Sequence, residues 1–65
     1  MAVDADMVTA MGQIARAVRR GDWAEALRLM AAVWDGDERA AAYALREVFD
    51  VDVAVVFPLI EPRLP

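Results

Sequence analysis

The 65-residue chain contains no cysteine, histidine, lysine, serine or asparagine. Without cysteine it can form no disulfide, and without cysteine or histidine it lacks the ligands of structural zinc sites. Thr9 and Tyr43 carry the only hydroxyl groups, so no nucleophile can be paired with a strong neighbouring base. We therefore expect no enzymatic activity, no metal and no cofactor.

The remaining groups that could perform acid–base chemistry are carboxylates, which occur in the pairs Asp35/Asp37 and Asp50/Asp52. We interpret the first pair as helix-capping residues and the second as solvated turn and strand residues. The acidic segment 35–38 lacks the ligand spacing of a calcium-binding EF-hand loop. The chain also has no glycine-rich phosphate-binding loop.

Length and composition favour association. A chain this short buries only about 60% of the surface that its unfolded form exposes, so its stability depends on very good packing or on a partner. Hydrophobic residues make up 60% of the sequence, well above the roughly 45–50% usual for a soluble domain. We expect this surplus to produce a homo-oligomer or a surface that binds another protein.

The charge distribution disfavours anionic partners. The net charge is -4, and all seven basic residues are arginine. This balance disfavours general binding to nucleic acid or to an anionic membrane. Asp4 and Asp6 make the N-terminus acidic, unlike a secretory signal, and no apolar run of about 20 residues is present, so we expect a cytoplasmic protein. The Arg-, Ala- and Val-rich composition is typical of a GC-rich genome, such as that of an actinobacterium or its phage.

The stretch 21–37 predicts a well-delimited amphipathic helix. Asp22 is a good N-cap, and Glu25 three residues later completes a capping-box pattern. Gly36 is suited to a left-handed residue that ends the helix. Four large apolar residues follow a 4-3-4 spacing that places them on one stripe: Trp23, Leu27, Met30 and Trp34.

A first helix is predicted before this stretch, with Asp4 or Asp6 as its N-cap. Its apolar stripe has the same 4-3-4 spacing: Met7, Met11, Ile14 and Val18. Arginines fill its last turn, where cations complement the helix dipole, and Gly21 ends it. Because Gly21 is followed at once by the cap Asp22, we expect the first two helices to form an antiparallel hairpin.

A third helix is predicted from Glu38 to Phe49, with Asp37 or alternatively Asp35 as its N-cap. Its expected apolar side consists of Ala41, Leu45, Val48 and Phe49, with Ala42 beside them. The alanine run at 40–42 is a strong helix former and allows close packing.

The pattern changes at residue 50. Polar and apolar residues alternate from Asp50 to Val53, and three prolines follow at 58, 62 and 65, so we expect an extended hydrophobic tail over 50–65. It would pack on the helices or on a second subunit through Val53, Val55, Phe57 and Ile60. A less favoured alternative is that the terminal Pro-x-x-Pro, Pro62 to Pro65, serves as a peptide ligand.

One stretch resembles a known family. Residues 21–33 read Gly21-Asp22-Trp23-x-x-Ala26-Leu27-x-x-Met30-x-x-Val33. This resembles the turn and second helix of a tetratricopeptide repeat, with Ala26 as the small close-packing residue and Met30 as the large one. The preceding helix lacks the family's Leu-Gly pair and has Ala17 where an aromatic is usual. The resemblance implies a helical hairpin and, more weakly, a role in protein binding.

The sequence thus predicts one all-α domain over residues 1–65: a small three-helix domain, consisting of an antiparallel helical hairpin and a third helix, with an extended hydrophobic C-terminal tail. The predicted function is protein–protein interaction, as an adaptor, a regulator or inhibitor, or a self-assembling subunit. The predicted partner-binding residues are Trp34, Trp23, Tyr43, Phe57, Arg16, Arg19 and Arg20. Both tryptophans could instead be core, and the arginines could simply be solvated.

The alternative function is a small DNA-binding regulator, which the predicted third helix supports poorly because it offers mainly Ala, Leu and Val. We expect no DNA binding even at low salt, because the chain is acidic overall and has one short cluster of arginines. A salt-titrated binding assay checks this prediction. Measurable affinity that falls steeply with rising salt would favour the DNA-binding alternative.

Overall fold

The structure is a computed structural model that describes residues 5–60. It contains four α-helices in this part of the chain: α1 Ala5–Arg19, α2 Trp23–Val33, α3 Glu38–Phe49 and α4 Val53–Ile60. The predicted all-α class is confirmed, and α1 to α3 form where the sequence predicts helices. The candidate cap Asp4 and the Pro62–Pro65 segment lie outside the described residues.

Aspartate side chains begin α2 and α3 as predicted. The backbone N–H of Glu25 donates to Asp22 Oδ1 at 3.2 Å, and the N–H of Ala40 donates to Asp37 Oδ1 at 3.0 Å. Each bond satisfies one of the backbone donors that a helix N-terminus leaves free. The capping box of α2 is only half formed, because the carboxylate of Glu25 pairs with Arg28.

Left-handed residues end the first two helices and set their connections. Gly21, at φ +71°, ends α1, and Asp22 N–H donates to Ala17 O at 2.9 Å in the Schellman pattern. After α2, Asp35 is already left-handed at φ +55°, and Gly36 follows at φ +84°. Asp35 therefore belongs to the end of α2, which excludes it as the N-cap of α3. Asp6 is likewise not a cap, since it lies inside the first turn of α1.

The core takes one large side chain from each helix. The largest fully buried side chains are Ile14, Met30, Leu45 and Val56. The same core contains four fully buried alanines, whose small side chains permit close approach of the helices: Ala17, Ala26, Ala41 and Ala42. The central helix α2 packs against α1, α3 and α4, which explains why its stripe through Leu27 and Met30 is buried.

The segment expected to be extended instead forms α4 over Val53–Ile60. Its two aspartates have capping roles rather than alternating strand positions. Asp50 ends α3 in a left-handed conformation at φ +59°, and Asp52 Oδ1 accepts the N–H of Ala54 at 2.9 Å. The apparent alternation over 50–53 therefore marks the end of one helix and the start of the next.

Burial in α4 follows the helical period. Val56 and Ile60, four residues apart, are buried, whereas Val55 is exposed. Of the four residues expected to be buried, Ile60 is buried and Val53 and Phe57 are half-buried. The helix packs against α3 and α2. None of the described helices has the length and apolar character that a membrane span requires.

Pro58 lies inside α4, where it has no N–H to donate to Ala54 O and its ring crowds that carbonyl. We expect Pro58→Ala to raise the free energy of unfolding by about 1–3 kcal/mol, because alanine is the better helix former by about 3 kcal/mol and the more flexible unfolded chain offsets part of the gain. Urea denaturation checks this. An unchanged or lowered midpoint would mean that this segment is not helical.

Candidate functional site

Three of the large apolar side chains that remain exposed lie together. Trp34 is 49% exposed, Tyr43 52% and Val48 59%. They line one shallow groove of about 380 Å³ together with Ala40, Ala44 and Glu47. We call these six residues the α3 face. Apart from the carboxylate of Glu47, the tyrosine hydroxyl and the indole N–H, its side chains are apolar.

Two helical rows and one capping residue build the α3 face. Ala40, Ala44 and Val48 follow at i, i+4 and i+8, so they form one row along α3. Tyr43 and Glu47 belong to the neighbouring row. Trp34 comes from the C-cap of α2 and reaches the groove because the left-handed turn at 35–36 reverses the chain beside α3.

Tyr43 is held from the other side by α4. Its ring meets that of Phe57 edge-to-face, with centroids 5.7 Å apart and planes inclined by 84°. Phe57 is half-buried and packs against the core, so it supports Tyr43 more than it offers a surface of its own. A second pocket of about 220 Å³ adjoins this pair and is lined by Arg39, Tyr43, Phe57 and Ile60.

The two tryptophans do not form one surface. Trp23 begins α2, is half-buried and packs against the core. Trp34 caps the opposite end of α2. An 11-residue helix is about 16 Å long, so the two side chains are separated by roughly that distance along the axis. The two tryptophans lie on the same side of the helix, but their separation along its axis means that they are not neighbours.

The predicted arginine edge lies at the end of α2 that is remote from Trp34. Arg16 and Arg20 line a pocket of about 260 Å³ with Gln13, Glu25, Arg28 and Leu29. Three arginines thus line this pocket, and one of them, Arg28, is paired with a carboxylate: its Nε donates to Glu25 Oε1 at 2.7 Å. Arg19 is exposed in the last turn of α1. The structure thus separates the arginines from Trp34 and Tyr43.

The sequence interpretation missed the alanine–valine row. Val48 was expected on the buried side of the third helix, but the buried side is formed by Ala41, Ala42 and Leu45. The pattern that could have indicated it is a second apolar row at positions 40, 44 and 48, which lies beside the buried row on the surface of α3. A 12-residue helix with two apolar rows needs cover on two sides, and the other helices cover only one.

The chemistry of this site is apolar contact. The described residues include no buried polar side chain and no group of three or more His, Cys, Asp or Glu residues that could hold a metal. Burying exposed apolar area stabilises a complex by about 25 cal/mol per Å², before the cost of association is subtracted. The α3 face can therefore bind a surface that is itself apolar.

Fluorescence of single-tryptophan variants tests the different surroundings of the tryptophans. In dilute solution, Trp23→Phe leaves Trp34, whose emission we expect at longer wavelength and with stronger quenching by acrylamide because about half of its surface meets water. Trp34→Phe leaves the half-buried Trp23, which we expect to be better protected. Equal quenching of the two variants would contradict the greater exposure of Trp34.

Comparison with known proteins assigns no family to the chain. No protein-family model matches it, and no curated protein or solved structure gives a significant match. The resemblance of residues 21–33 to a tetratricopeptide repeat stays a prediction.

Proposed function

We propose that this chain is a protein–protein interaction module that binds through the α3 face. The observation that carries the proposal is the meeting of Trp34, Tyr43 and Val48 in one apolar groove while each remains about half exposed. Exposed apolar residues scattered singly are ordinary, but a contiguous group with two large aromatics is typical of a binding surface.

The aromatic residues suit the role of anchors. Tryptophan and tyrosine are enriched among the residues that dominate binding energies, because they bury a large area with few rotatable bonds. Tyr43 is further restricted by its contact with Phe57. Between the aromatics, Ala40 and Ala44 leave room for the side chains of a partner helix.

The module would act as an adaptor, a regulator or inhibitor of a larger protein, or a self-assembling subunit. The tetratricopeptide-like resemblance of its second helix supports the same class of function. Arg16, Arg19 and Arg20 are too far from the α3 face to join its contact, and in this proposal they adjust electrostatic specificity at the edge of a larger partner. The cytoplasmic location remains part of the proposal.

A photo-reactive amino acid placed at position 48 tests the proposal in cells of the native host. Val8 provides a matched control, because it is 58% exposed, is also a helical valine and lies on α1 away from the groove. We expect a covalent protein adduct from position 48 and none of comparable yield from position 8. Adding Trp34→Ser should reduce the adduct strongly, since loss of an anchor residue costs about 2 kcal/mol, or roughly thirtyfold in affinity.

Two results would contradict the proposed function. One is the absence of any protein adduct at position 48. The other is an adduct of equal yield at positions 8 and 48 that is insensitive to Trp34→Ser, which would indicate random collision. Circular dichroism of each variant verifies that the fold is retained.

A further inference from the structure

Arg39 and Glu47 are charges of opposite sign near the two ends of α3. Arg39 lies in the first turn beside Glu38, and Glu47 lies in the last turn beside Arg46, so each end carries one charge that the helix dipole favours and one that it does not. Both side chains are exposed, and neither takes part in an ion pair within the described part of the chain. Both charges are therefore available to a partner.

The spacing of these charges makes α3 self-complementary. Arg39, Tyr43 and Glu47 follow at i, i+4 and i+8, so they form one row with Tyr43 at its centre. The charges at its two ends are opposite and equidistant from Tyr43, each about 6 Å away along the helix axis. If a second α3 lies antiparallel with its own Tyr43 at the same level, Arg39 of each copy faces Glu47 of the other.

We infer that the partner of the α3 face is a second copy of this chain, docked with its α3 antiparallel across a two-fold axis that passes beside Tyr43. This inference rests on the proposed function and specifies its partner. It requires an isologous interface, in which each residue contact occurs twice. The repeated contact is the pair formed by Arg39 and the Glu47 of the second copy.

The alanine–valine row fits the same register. A two-fold axis perpendicular to both helices places each row of α3 opposite the same row of the second copy. When Tyr43 lies beside the two-fold axis, Ala44 of one copy lies, along the helix axis, midway between Ala40 and Ala44 of the other copy. The row Ala40, Ala44 and Val48 therefore interdigitates with its symmetry mate, which permits close helix packing.

The charge pattern favours this partner over an unrelated protein. The row carries one positive and one negative end, so it has no net charge with which to attract a strongly acidic or basic partner. A second copy supplies the inverted pattern without any further residue. A second copy also buries the apolar groove of both chains at once. Such burial is expected of a 65-residue chain with 60% hydrophobic residues, which is too short to bury them all in its own core.

Sedimentation equilibrium of the purified chain with charge-reversal variants tests the inference. We expect the unchanged chain to dimerise and both Arg39→Glu and Glu47→Arg to weaken dimerisation by about tenfold or more, because each places like charges together at two symmetric sites. The double variant R39E/E47R should restore the affinity to within a few-fold of the original. Arg28→Glu, at an exposed position on α2, changes the net charge by the same amount as Arg39→Glu and should leave dimerisation unchanged.

These variants separate loss of contact from loss of folding. Each single reversal places a charge at the end of α3 where the dipole favours it, so the monomer should melt no lower than the unchanged monomer. Circular dichroism at a concentration where all variants are monomeric checks this.

Two results would contradict the inference, one for the identity of the partner and one for the antiparallel register. A chain that stays monomeric at several hundred micromolar refutes the second copy as partner, whereas the interaction function is judged separately by the cross-link at position 48. A dimer that is indifferent to both reversals, or one that the double variant fails to restore, refutes the antiparallel register.

Discussion

The fold depends on one hydrophobic core to which each helix contributes one large side chain. Ile14, Met30, Leu45 and Val56 come from the four helices in turn, and each is fully buried. The described residues form one such core, and the chain has no cysteine for a disulfide, so helix positions are set by this core and by the caps at each turn. The exposed groove is a consequence of the same limit, because four short helices cannot cover two apolar sides of α3.

Alanine makes so small a core possible. Beside the large buried residues, helices α1, α2 and α3 each bury alanine, as at Ala17, Ala26 and Ala41. Alanine loses no side-chain entropy on burial and lets backbones come near one another. It also fills little volume, so the core accommodates few large residues and leaves Trp34, Tyr43 and Val48 outside.

The sequence was most informative where a residue acts locally. Asp22, Asp37 and Gly21 each act on the backbone within a few positions, so their caps and turns could be predicted from spacing alone. The tail was misjudged because a left-handed aspartate at 50 followed by the capping Asp52 produces the same polar–apolar alternation as a strand. Pro58 strengthened that expectation, but the burial of Val56 and Ile60 against α2 and α3 outweighs one unfavourable residue.

The site was harder to anticipate because it depends on tertiary packing. Tyr43 and Trp34 are among the predicted partner-binding residues, and both are about half exposed, yet nothing local places them beside each other. Their meeting requires the reversal at 35–36 and the choice of Ala41, Ala42 and Leu45 as the buried side of α3. Trp23 and Trp34 illustrate the converse, since equal azimuth on a helix does not bring two residues together when they occupy its opposite ends.

The edge-to-face contact between Tyr43 and Phe57 joins the α3 face to the least regular helix of the fold. α4 is only eight residues long and contains a proline, so we expect it to be among the first elements to open by local unfolding. Opening of α4 withdraws the ring that orients Tyr43, and a partner that holds Tyr43 in place opposes that opening. If the α3 face binds a partner as proposed, we expect occupancy of the groove and closure of α4 to be thermodynamically linked, each favouring the other.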